Sequence, residues 1–230
     1  MRNFLKRASM TAAVAMACLP VGATAQLVAN GTTTLTGTGL GAVNTILTIQ
    51  SPNDGSVEMG CIGPTGQGSC GFPDLTALNG ASQTKMVFLS ALPGVKGSNL
   101  ALVLNFAEPV DASAGQLDRL VLQLYDAAGT SLFTASLPSS IFYGSTEPGT
   151  GSAGFLFGLS PSSAVAFDAA VAAGGNQLGL GSALSQVTGG NETFFLGVNA
   201  VTAAPEPASM ALVGTGLVGL FGALRRRKRV

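Results

Sequence analysis

The chain has 230 residues and no histidine, which excludes Ser-His-Asp and Cys-His nucleophiles, most zinc sites and the commonest general base. Its eleven basic and eleven acidic residues balance, but eight of the basic ones lie in residues 1–25 and 205–230. Residues 26–204 keep Lys85, Lys96 and Arg119 against ten carboxylates, a net charge of −7, which excludes a phosphate-binding face and therefore nucleic acid.

Arg2, Lys6 and Arg7 form a basic start, Ala8–Leu19 an apolar run, and Ala23-Thr24-Ala25 a small-residue cleavage site. That order predicts a signal peptide over residues 1–25, cut between Ala25 and Gln26. The alternative takes Cys18 as a lipoprotein cysteine, although Ala15 stands where Leu is usual.

Residues 26–204 suffice for one exported domain with its own core. Gln26–Gly41 reads as an irregular or edge segment. Val43–Gln50 alternates as a strand, with Val43, Thr45, Leu47 and Ile49 on one face. Asn53-Asp54-Gly55 is a hairpin turn; with Glu58 it offers oxygens for calcium but lacks the alternate-residue spacing of a calcium loop. Cys61 and Cys70 flank a Gly-Pro-rich loop, which in an exported chain predicts a disulfide worth roughly 2.5–3 kcal/mol. Free thiols or a metal are the alternatives, the metal with no histidine to help it.

Ser82-Gln83-Thr84-Lys85 matches S-x-x-K, but without the companion elements of serine acyl-enzymes Lys85 reads as an edge residue. Lys85–Leu92 and Leu100–Phe106 are apolar on both faces, as covered central strands are. Leu117–Leu137 predicts a hairpin turning at Asp126-Ala127-Ala128-Gly129. Ser139–Ser152 reads as irregular or edge chain, and Gly154–Leu159 as a strand. Ser160 then caps a helix with Pro161 at its first position, ending at Gly174-Gly175, with Ala164, Phe167 and Val171 inward. Thr193–Val201 closes the body as a strand. The sum is a mainly β chain: an antiparallel β-sandwich, jelly-roll-like, with one short helix, between an N-terminal signal helix and a C-terminal transmembrane helix.

Carboxylate pairs for glycoside hydrolysis are Glu108 with Asp111 and Asp118 with Asp126, each beside a turn where acids commonly solvate the chain. Sugars stack on aromatic rings, yet the chain has no Trp and only Tyr125 and Tyr143 as tyrosines. Asn191-Glu192-Thr193 fits a glycosylation triplet that bacterial proteins ordinarily leave unused. Gly37–Ala42 and Gly214–Gly219 match dinucleotide glycine patterns without the strand–turn–helix setting those need. No catalytic residue, cofactor or metal ligand is expected.

The tail over residues 205–230 holds three unlike elements. Pro205-Glu206-Pro207 is extended, non-helical chain. Residues 208–224 form an apolar span of about 25 Å, slightly short of the bilayer core. Arg225, Arg226, Arg227, Lys228 and Arg229 hold the far end on the cytoplasmic side. In that combination the tail resembles the PEP-CTERM sorting signal of Gram-negative bacteria; a retained tail anchor is the alternative. The resemblance implies an exosortase-type membrane protease as partner, transient residence in the inner membrane, and extracellular polysaccharide as the setting. The expected product is an exported, non-enzymatic protein of the surface or matrix in exopolysaccharide or biofilm. A calcium- or glycan-binding module is the alternative.

Overall fold

The computed structural model describes residues 24–34, 44–50, 57–71, 73–78, 80, 82–105, 114–144, 153–187 and 190–198. Among them the chain runs through β1 (Ala25–Thr34), β2 (Asn44–Ile49), β3 (Val57–Gly63), β4 (Gly66–Gln67) and β5 (Val87–Phe88). A 3-10 turn (Leu89–Ala91) leads to β6 (Leu100–Asn105), β7 (Ala114–Tyr125), β8 (Ser131–Ser136), β9 (Ile141–Gly144) and β10 (Ala153–Leu159). The helix α1 (Pro161–Ala172) follows, then β11 (Gln177–Ser185) and β12 (Glu192–Val198).

The strands form one hydrogen-bonded path, β2-β12-β6-β10-β1-β8-β7-β11-β3-β4, with β5 on β11 and β9 on β7. A sandwich would keep two separate sheets; here one open sheet curls into a half-barrel. The join is β1, which pairs antiparallel with β10 from Leu27 onward and parallel with β8 at Ala25 and Gln26. A register shift between Ala29 and Thr32 bends β1 at Gly31, whose φ of +86° suits a residue without a Cβ.

Curling turns one face of each half inward. Leu102, Leu104, Phe157, Phe194 and Leu196 meet Leu117, Leu120, Leu122, Leu124, Leu178 and Leu180 in a common core. The opposite faces of β6, β10 and β12 bury a second cluster of Ala101, Val103, Leu156 and Phe195. Burial on both faces accounts for the unbroken apolar run at Leu100.

Local signals are realised closely. The hairpin forms between β7 and β8, with Gly129 left-handed at φ +82° and Asp126 Oδ1 accepting the N–H groups of Ala128 and Thr130. Ser160 Oγ accepts the Ser163 N–H to cap α1, Pro161 takes the first position, and Gly174 at φ +106° follows the last turn. Ala164, Phe167 and Ala170 are buried, and the Phe167 ring meets Phe133 edge-on at 5.6 Å.

Elsewhere the structure corrects the sequence. Residues 25–34 are no edge but the strand joining the halves. Of the strand expected over Lys85–Leu92 only Val87–Phe88 pairs, before the chain turns into 3-10 helix. Ser139–Ser152 contains β9. Both β3 and β11 stand where no strand was expected, although β11 lies at the centre of its half, between β7 and β3. Phe106, Ser145–Ser152 and Asn199–Val201 lie outside the described residues, as do 1–23 and 208–224. No helix among the described residues is long and apolar enough to cross a membrane.

Two glycines mark where backbones touch. A Cβ on Gly97 would collide with the Ala164 carbonyl of α1, and one on Gly154 with the Leu104 carbonyl of β6. Gly97→Ala and Gly154→Ala are therefore each expected to destabilise the body by about 1–3 kcal/mol. Ser98→Ala, at an exposed position, should stay within about 0.5 kcal/mol. Urea unfolding midpoints measure all three.

Candidate functional site

The chain turns from β10 into α1 at Ser160, and that corner frames a cleft of about 460 Å³. Its walls are β1 (Val28, Asn30), β10 (Leu156–Leu159), α1 (Pro161, Ala164, Val165, Asp168) and the segment at Ser98 and Leu100. The lining is apolar apart from Asn30, Ser98 and Asp168. Asp168 Oδ1 accepts the Gly97 N–H at 2.7 Å, which ties the loop before β6 to the helix. The same loop is braced by Asn99, which accepts from the Lys96 N–H at 2.6 Å and donates to the Gly94 carbonyl at 3.1 Å. The lining thus holds one carboxylate, without a second to share acid–base work. Phe157 is fully buried and offers no ring face for a sugar to stack on.

Next to the cleft lies the expected cleavage point. Ala25 and Gln26 pair with Ala135 and Ser136 of β8. The Gln26 N–H donates to Ser163 Oγ at 2.7 Å, and the Ser160 N–H donates to the Gln26 carbonyl at 3.1 Å. Ser160 and Ser163 thus serve both the cap of α1 and the first turn of β1. Docked this way, Ala25 and Gln26 lie between β8 and α1.

Cys61 and Cys70 form the expected disulfide, with Cα atoms 6.0 Å apart. It closes the β3–β4 hairpin, where Gly66 and Gly68 adopt φ of +112° and +74°. Backbone bonds from Gly68 to the Cys61 carbonyl and from Ser69 to that of Gly66 complete the loop.

The remaining candidates do not assemble. Ser82 and Lys85 are exposed in turn and extended chain rather than at a helix start. Asp118 lies on β7 and accepts from Gln116 Nε2, while Asp126 is occupied by its turn; along a strand eight residues span about 26 Å, too far for a catalytic pair. Tyr125 donates to Gln123 Oε1 at 2.7 Å, and Tyr143 stacks on Phe155 with ring centroids 3.8 Å apart. Both rings serve the fold. Glu58 and Glu192 are buried in β3 and β12, and Asn191 is exposed at the start of β12. Asn53–Gly55, Glu108, Asp111, Gly37–Ala42 and Gly214–Gly219 lie outside the described residues, as do Pro205, Glu206, Pro207 and the basic stretch from Arg225 to Arg229.

Residues 203–228 match the family model of the PEP-CTERM protein-sorting motif. No curated protein and no solved structure matches the chain. The motif indicates an exported protein that is held in the membrane before processing by exosortase. What sequence reasoning missed was the Ser160–Ser163 seat of Gln26; the only local signal for it is the helix cap itself.

Two measurements probe this region. Replacing Cys61 and Cys70 together by Ser is expected to remove about 2.5–3 kcal/mol of stability, read as a lower urea midpoint than the oxidised parent's. Burial pushes the Tyr143 phenol up to about 12, whereas an unfolded tyrosine titrates near about 10. Between those values the unfolded chain has lost a proton that the folded chain keeps, so stability falls as pH rises. Tyr143→Phe retains the ring stack and should flatten that decline, measured by unfolding at a series of alkaline pH values.

Proposed function

We propose that residues 26–204 are an exported, non-enzymatic domain of the cell surface or extracellular matrix, acting with exopolysaccharide in a biofilm-type assembly. The motif match at residues 203–228 carries this reading, because it links the chain to export and exosortase processing. The described body adds support of a different kind. Its cleft contributes a single carboxylate already engaged by a backbone N–H, and its tyrosines are committed to packing. Both favour a role exercised through surface and shape.

A ligand-binding module is the second reading, and the cleft is what favours it: an apolar trough with Asn30, Ser98 and Asp168 at its edges. Titration calorimetry of the purified body with calcium and with the host's own polysaccharide separates the two. Tight calcium binding would replace the structural reading with the second one.

Sorting is tested in the cell. Deleting Pro205–Val230 from a tagged full-length chain should abolish membrane retention and processing and shift the tagged body into the soluble exported fraction. Fractionation followed by mass measurement reads the result; unchanged retention would overturn the sorting role of the tail.

A further inference from the structure

Strand register fixes where the two ends of the body emerge. Leu27 of β1 lies opposite Leu159 of β10. The β10–β6 register runs Phe155 to Leu104, Leu156 to Val103 and Phe157 to Leu102, so Leu159 falls level with Leu100. Leu100 in turn pairs with Val198 of β12. One row across four neighbouring strands therefore joins the start of β1 to the end of β12. Three strand spacings separate them, about 14 Å. Since β1 enters the sheet at this row and β12 leaves it there, both flanking segments depart from the same end of the fold.

We infer that this end is the membrane-facing surface of the precursor, and that the body hangs from a phospholipid bilayer by both tails at once. The inference rests on the reading of residues 1–25 and 205–230 as membrane-directed signals, and it adds an orientation to that reading. Two lengths of chain set the constraint. From Leu19, the end of the apolar signal run, to Gln26 is at most about 25 Å of extended chain, and from Val198 to Pro207 about 30 Å. With both tails anchored on one side and leaving the body from one end, that end is held nearest the lipid.

The surface presented there fits that placement. The cleft opens beside this row, and its rim carries Val165, 71% exposed, on the first turns of α1. Val198 at the end of β12 is 37% exposed. In the other half of the sheet, Val57 pairs with Ser185 at the last position of β11. It is 46% exposed and provides an apolar control four strands from β1 and three residues, about 10 Å, beyond this row along the strands.

The test uses the full-length chain carrying Ala23→Lys, which blocks the signal cleavage site so that both tails remain. It is inserted into vesicles of phosphatidylethanolamine and phosphatidylglycerol, with a photoreactive residue placed at Val165 or at Val57. Formation of the Cys61–Cys70 disulfide and protease resistance establish that the body has folded in each variant. The expected result is at least fivefold more lipid crosslinking from position 165 than from position 57. The bias should shrink when Pro205–Val230 is deleted and one tether is lost. Equal crosslinking from the two positions in a folded, membrane-bound chain would overturn the orientation while leaving the sorting reading intact. A chain that fails to bind the vesicles would overturn the anchoring premise and the orientation together.

Discussion

The fold depends on one strand making two unlike pairings. Between Ala25 and Thr34 the chain bonds antiparallel to β10 and, at its first two residues, parallel to β8. Remove β1 and the path separates into β2-β12-β6-β10 and β8-β7-β11-β3-β4, each half left with an unpaired edge and an open apolar face. Both partners of β1 lie more than a hundred residues along the chain. Loop closure over such separations is slow relative to hairpins and helix turns. The first strand made is therefore among the last to dock. Ser160 and Ser163 complete the docking only once α1 exists.

Small residues are what let the layers close. Gly97 meets α1 at the Ala164 carbonyl, and Gly154 meets β6 at the Leu104 carbonyl. Gly175 sits against the Leu124 side chain, and Gly179 is wedged between the Ile62 carbonyl and the Tyr125 ring. A composition that looks loose is, at these positions, a record of backbone contact. Replacing such a glycine by alanine lowers the entropy lost on folding, yet steric collision outweighs that gain wherever the neighbour is a carbonyl that cannot swing away.

What could be read in the sequence was what is decided locally. The β7–β8 hairpin follows from Asp126 and Gly129, and α1 from Ser160, Pro161 and Gly174; each signal lies within a few residues of the structure it specifies. The tail was legible for the same reason, as three contiguous elements. The strand at Gln177–Ser185 was missed because Gly179, Gly181 and Ser182 interrupt its apolar pattern, and the smallness of Gly179 makes sense only beside Tyr125 and Ile62. The strand at the N-terminus was missed because its polar face of Gln26 and Asn30 resembles an edge until β8 and α1 arrive. The cleft was invisible because its walls come from three separated segments of the chain. Sandwich and curled sheet share the same inward alternation, so the pattern along each strand does not distinguish them.

Charge separates the life of the precursor from that of its product. Residues 1–25 and 205–230 hold eight cations and Glu206, a net +7 that brings the whole chain to neutrality, while residues 26–204 carry −7. Several of those carboxylates are bound into the structure: Asp74 accepts from the Ala77 N–H, Asp126 from its turn, and Asp168 from Gly97. Their charge still contributes to the field around the protein. An anionic lipid surface attracts the tails and repels the body, over a screening distance of about 8 Å at physiological salt. In the orientation we infer, the two tethers hold the α1 end against the bilayer despite that repulsion. Without residues 1–25 and 205–230 the cations left are Lys85, Lys96 and Arg119, against ten carboxylates, and the body alone is repelled by an anionic surface.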